Sequence, residues 1–112
     1  METITREELQ RLLDQDAVTL VEALPEVQYD AGHLPHARNL SGTTVTAEDA
    51  ERLAPDRTRT LVTYCSGPGC TRSKVAAGAF ARLGYQDVRV YTGGKADWYD
   101  AGLAFETVTP AA

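Results

Sequence analysis

Leu61-Val-Thr-Tyr-Cys65-Ser-Gly-Pro-Gly-Cys70-Thr-Arg72-Ser73 reads as a buried strand that stops at a cysteine, a glycine-rich loop and the first turn of a helix. A strand ending at Cys65 places its sulfur at the carboxyl edge of a sheet, where open α/β folds bind ligands. Gly67 and Gly69 let backbone N–H groups turn inward, so Ser66, Gly67, Pro68, Gly69, Cys70 and Thr71 form an anion cradle. The helix opening near Thr71 to Ser73 adds the positive end of its dipole and Arg72 adds a full charge. Both are expected to hold the Cys65 thiol below a free thiol, making it a nucleophile at neutral pH. The bland alternative is a free cysteine closing a core strand, a common fate for this residue type; the loop around it weighs the other way.

The 112 residues suit one domain, 1–112, with a core over about 3–106 and a short C-terminal tail from Thr107. Composition is that of an ordinary globular protein, 43% hydrophobic and 24% charged, and no run approaches the roughly 18 apolar residues of a membrane span. A formal net charge of −5 disfavours nucleic-acid and anionic-membrane partners. The first residues carry neither the basic region nor the apolar run of a signal peptide, so a cytoplasmic, reducing setting is expected, in which two cysteines are chemical rather than staples.

Helical and strand signals alternate along the chain. Thr5-Arg-Glu-Glu8 opens a helix with Leu9, Leu12 and Leu13 on one face, and Ala17 to Val21 reads as a buried strand. Glu26 to Ala31 reads as a short helix ended by Gly32, and His33 to Leu40 leads into a second short strand. Thr46-Ala-Glu-Asp49 caps a helix reaching about Leu53, and Thr60 to Tyr64 is the strand that feeds the cysteine. Lys74 to Leu83 is helical, with Gly84 as a left-handed cap; Asp87 to Tyr91 is a strand; Gly93-Gly94 turns into a last helix finished at Gly102. This alternation predicts an α/β fold: a mostly parallel central sheet of about five strands with helices on both faces.

With these elements in order, the chain resembles a single-domain rhodanese. Gly32-His33-Leu34-Pro35-x-Ala37-x-Asn39 is similar to the family's Gly-His-Ile-Pro-Gly-Ala motif, and Tyr64-Cys65 stands where its active cysteine ends a strand. Leu83-Gly84-Tyr85-x-x-Val88 with Gly93-Gly94-x-x-x-Trp98 is similar to its closing signature. The resemblance implies a sulfurtransferase or sulfur carrier. Its cysteine takes sulfane sulfur from a small donor such as thiosulfate, becomes a persulfide, and passes the sulfur to a thiol, a cyanide-like acceptor or a protein acceptor, without metal or organic cofactor. Three departures stand out. Glu22-Ala-Leu24 replaces the usual Asp-x-Arg, His36 occupies a usual glycine position, and Cys65 to Arg72 is two residues longer than the common Cys-x-x-Gly-x-Arg loop and holds a second cysteine.

Cys70 is a candidate resolving cysteine, able to form a disulfide with an oxidised or persulfidated Cys65; the alternative is a small residue packed under the loop. Arg72, the one basic residue of the loop, is expected to face the anion. His33 is expected in a structural hydrogen bond and His36 at the surface; the cysteine and histidine spacing matches no zinc finger or ribbon. Trp98 and Tyr99 are expected as core and rim, and Ser66, Thr71 and Ser73 as loop or cap residues. A non-catalytic oxyanion-binding or redox-sensing module using Cys65 and Cys70 is the alternative function. A phosphatase or arsenate reductase is the weaker third reading, since no leaving-group acid lies near the loop in sequence.

Overall fold

A computed structural model of the chain describes residues 2–108. Five strands, β1 (Glu2–Thr3), β2 (Thr19–Glu22), β3 (Arg38–Asn39), β4 (Leu61–Tyr64) and β5 (Val88–Tyr91), pair in parallel in the order β1-β5-β4-β2-β3. Four helices connect them, α1 (Arg6–Asp14), α2 (Glu26–Ala31), α3 (Ala47–Leu53) and α4 (Arg72–Arg82), and α5 (Gly94–Asp100) follows the last strand. The α/β alternation expected from the sequence is present, and the sheet is wholly parallel.

Side chains alternate across the strands and divide the core in two. Val21, Leu61, Val88 and Val90 pack on one face with Ala50 and Leu53 of α3 and Ala76, Ala77 and Phe80 of α4. Leu20, Val62, Tyr64 and Tyr91 pack on the other with Leu9 of α1 and Trp98 of α5. Both faces of β4 are therefore covered, which is why Leu61-Val-Thr-Tyr64 is buried throughout rather than alternating with polar residues.

Local signals place the helix ends. Thr5 accepts from the Glu8 amide at the start of α1, and Thr46 and Asp49 form a reciprocal capping box on α3. Gly84 and Gly102 take positive φ of 93° and 73° after α4 and α5. Two features depart from expectation. The edge strand β1 carries no burial pattern, both residues being exposed, so only its pairing with Arg89 and Val90 reveals it. The tail expected from Thr107 is pinned at its start, where the Val108 amide donates to Asp30 O at 3.0 Å; its residues 109–112 lie outside the described residues.

The strand order sets the location of the site. From β2 the chain moves outward to β3 and then crosses back to β4 on the other side, so the carboxyl ends of β2 and β4 flank a topological switch point. Glu22 and Tyr64 are paired in register at that edge, and Cys65 is the next residue.

Candidate active site

Cys65 emerges from the centre of the sheet almost fully buried, 1% exposed, and the chain then runs to the surface through Ser66, Pro68 and Gly69. Its peptide is clamped by α5: the Lys95 amide donates to Cys65 O at 3.0 Å and the Ala96 amide to Ser66 O at 2.9 Å. This approach explains Gly94. Its φ of 59° is left-handed, and a Cβ there would collide with Cys65 O and lie 2.9 Å from Gly67 N. Within the loop the Cys70 amide donates to Gly67 O at 3.0 Å, and no other amide of residues 66–71 is taken by a backbone carbonyl. Those remaining N–H groups sit next to the start of α4.

The sulfur atoms of Cys65 and Cys70 are joined in a disulfide, with Cα atoms 6.3 Å apart. Cys70, half-buried, therefore covers the strand-end sulfur rather than packing beneath the loop. Ser73 in the first turn of α4 places its hydroxyl 3.3 Å from Cys65 Sγ. A disulfide sulfur has no proton to give, so the hydroxyl is the donor, and it is equally placed to donate to a thiolate once the bond is reduced.

Arg72 departs from its expected direction. Its Nε donates to Ala23 O and one terminal nitrogen to Ser41 O, both at 2.9 Å, so it turns from the loop toward the segments after β2 and β3. The guanidinium ties three segments together at the switch point, and its charge reaches the loop as a field rather than as a contact.

A buried polar cluster lies beneath the cysteine. Glu22 is completely buried; Tyr64 donates to its Oε1 at 2.6 Å, and the Leu34 amide donates to the Tyr64 hydroxyl at 3.0 Å. Lys95 Nζ stands 3.0 Å from Oε2, an ion pair by distance, yet that oxygen accepts no properly angled hydrogen bond; the ammonium donates instead to Gln28 O at 2.9 Å. Burial, and next the Glu22 charge, push the Tyr64 phenol far above its ordinary range, so it is a fixed donor. Leu24, where the usual motif has an arginine, is a buried wall residue, and the cation beside Glu22 is Lys95 of α5. A mostly apolar groove of about 510 Å³ runs past Leu24, Gly32 and Phe105 to Ser66 and Lys95, leading to the mouth of the loop.

The histidines stand apart from the sulfur chemistry. His33 is buried, stacked on Tyr29 at 3.9 Å between ring centres, with Nδ1 2.9 Å from Tyr29 O. His36 is exposed with φ 65°, so the residue at the family's usual glycine position keeps the left-handed backbone that glycine favours. Trp98 is core and donates from Nε1 to Ala104 O at 3.0 Å; Tyr99 is exposed.

A family model for the rhodanese-like domain matches residues 5–101. The chain belongs to the rhodanese-like domain family. It is 36% identical over 110 residues to the HTH-type transcriptional regulator Rv0324 of Mycobacterium tuberculosis, a match spanning 97% of this chain and 46% of that protein. The chain thus covers about half the length of this curated relative. Among solved structures, the BH2092 protein of Bacillus halodurans superposes with a TM-score of 0.86 at 24% identity, over 96% of this chain and 77% of that one. The thiosulfate sulfurtransferase of Pseudomonas aeruginosa gives 0.78 at 26% identity, over 97% and 21%. The human single-domain sulfurtransferase TSTD1 gives 0.73 at 22% identity, over 89% and 96%. Sulfurtransferases thus stand among the structural neighbours of this rhodanese-like domain. No helix among its described residues is long and apolar enough to cross a membrane.

Proposed function

We propose that this rhodanese-like domain is a sulfurtransferase or sulfur carrier whose working group is the thiolate of Cys65. The observation that carries the reading is the position of that sulfur: the end of the central strand, at the switch point, inside a loop whose amides are largely unclaimed and beside the Ser73 hydroxyl at 3.3 Å. In the reduced protein the thiolate attacks the outer sulfur of thiosulfate or a related sulfane donor. The sulfur–sulfur bond of the donor breaks, sulfite departs with its electron pair, and Cys65 is left as a persulfide. The backbone amides left free in the loop, those of Ser66, Gly67, Gly69 and Thr71, and the start of α4 meet the negative charge of donor and persulfide, and Arg72 adds to their field while holding the loop to Ala23 and Ser41. The sulfur then passes to a thiophilic acceptor, a thiol, cyanide or a protein cysteine, in the reducing setting expected for the chain.

Sulfite release tests the first step directly. Reduced protein mixed with thiosulfate is expected to liberate about one equivalent of sulfite, and Cys65→Ser none, because only the thiolate attacks. Equal release from Cys65→Ser removes Cys65 from the chemistry.

A second reading, a redox-sensing module, is favoured by one specific observation, the bond between Cys65 and Cys70. The relation to about half of a transcriptional regulator points the same way. On that reading peroxide closes the disulfide and sulfur turnover is minor.

A further inference from the structure

We propose that Cys70 is a second catalytic residue, which resolves the Cys65 persulfide and expels its outer sulfur as sulfide. This inference rests on the persulfide reading above. It starts from the observed bond between the two sulfurs, which establishes that Cys70 reaches Cys65 Sγ with an ordinary Cα separation of 6.3 Å. The loop is held on both sides of the pair. Lys95 and Ala96 hold the carbonyls of Cys65 and Ser66, the Cys70 amide closes on Gly67 O, and Arg72 anchors the start of α4 to Ala23 and Ser41. The two residues that lengthen this loop beyond the usual rhodanese pattern are what give Cys70 its place.

A structural staple is a poor account of this bond. A bridge across so few residues restrains the unfolded chain much less than one that spans the domain. It also consumes the sulfur that stands at the end of the central strand, and while it stands Cys65 cannot attack a donor. The bond and the nucleophile are mutually exclusive, so they are two states of one cycle.

The chemistry balances. Once Cys65 carries the persulfide, a proton moves from the Cys70 thiol to the terminal sulfur, and the Cys70 thiolate attacks Cys65 Sγ. The Cys65–Cys70 bond forms, the bond to the outer sulfur breaks, and hydrosulfide leaves with the electron pair. The sulfane sulfur is reduced by two electrons, and the two cysteine thiols supply them. A dithiol reductant, small or protein-borne, returns the pair to thiols and is itself oxidised to a disulfide. The exposure difference gives this step a direction: Cys65 is 1% exposed and Cys70 is half-buried, so the reductant attacks Cys70 Sγ and Cys65 leaves as the thiolate, ready for the next donor. The domain then converts thiosulfate and a dithiol into sulfite, sulfide and a disulfide, with a thiol-redox state as its output.

The experiment uses full-length reduced protein freed of external thiol, treated with one equivalent of thiosulfate. The parent is expected to release about one equivalent each of sulfite and sulfide and to lose both alkylatable thiols, whereas Cys70→Ser and Cys70→Ala release sulfite without sulfide. Sulfite without sulfide from the parent, with Cys70 still alkylatable, overturns the inference and leaves the persulfide reading intact. Sulfide from Cys70→Ser at the parent's level also overturns it. Absence of sulfite from parent and variants overturns the persulfide reading itself, and this inference with it.

Discussion

Replacing Lys95 by methionine strips the buried carboxylate beneath the cysteine loop of its counter-ion. Glu22 is fully buried, and its Oε2 has the Lys95 ammonium at 3.0 Å but accepts no hydrogen bond. Breaking a buried pair by removing one partner costs about 3–5 kcal/mol, because an uncompensated charge stays behind. Tyr64 still donates to Oε1, and the lysine side chain is 19% exposed, so the lower end applies, about 3 kcal/mol. For a domain of this size that is a fall in Tm of roughly 12 °C, at about 4 °C per kcal/mol. Glu22→Gln in the same chain removes the charge and is expected to recover most of the loss; calorimetry of the parent, both single variants and the double variant closes the cycle. A Lys95→Met Tm within about 2 °C of the parent, or a double variant no better than Lys95→Met alone, refutes the argument that an ion pair holds the floor of the site.

Three further outcomes follow from particular contacts. Gly94→Ala forces a Cβ onto Cys65 O at a left-handed φ and is expected to destabilise the fold by about 2–3 kcal/mol and to disturb the Cys65 loop, read by urea unfolding and the alkylation rate of reduced Cys65. Arg72→Ala leaves Ala23 O and Ser41 O without their charged donor, and a loss of about 2 kcal/mol is expected in urea; unchanged stability with sulfite release abolished would instead make Arg72 a ligand for the donor. The Tyr91 hydroxyl, and after it Arg6, hold the Asp97 carboxyl below its ordinary value. A carboxylate depressed in the folded state contributes stability above the unfolded value of about 3.9 and loses it as pH falls through the native one, so Asp97→Asn should flatten the decline in Tm below about pH 4 and flatten nothing at pH 7.

Much of this architecture is written in local patterns. Leu61 to Tyr64 is a mostly apolar run, Val88 to Tyr91 a β-branched and aromatic stretch broken only by Arg89, and Thr46 with Asp49 spells its capping box, so their elements are visible without tertiary knowledge. β1 is not, because two exposed residues carry no burial signal. The bend of Arg72 toward carbonyls after β2 and β3 was hidden because its partners are backbone atoms of distant loops, which have no residue signature. Lys95 and Glu22 are also far apart in sequence, yet a signal existed. Glu22 ends a buried strand run, and a carboxylate in that position requires a cation and a donor. His36 kept its exposed place, and the backbone there still follows the glycine-like conformation that the usual motif implies. That a loop carrying Gly67, Pro68 and Gly69 could bring Cys70 to Cys65 was legible from its flexibility; that Cys65 O and Ser66 O are held by α5 was not.

Whether Cys65 carries the transferred sulfur is decided by peptide mass mapping of Cys70→Ser after thiosulfate, where no second thiol can remove the adduct. The peptide holding Cys65 is expected to gain about 32 Da, discharged by cyanide as thiocyanate and absent when Cys65 is also serine. No added mass on that peptide, or the same mass with Cys65 replaced, would show that Cys65 does not carry the sulfur.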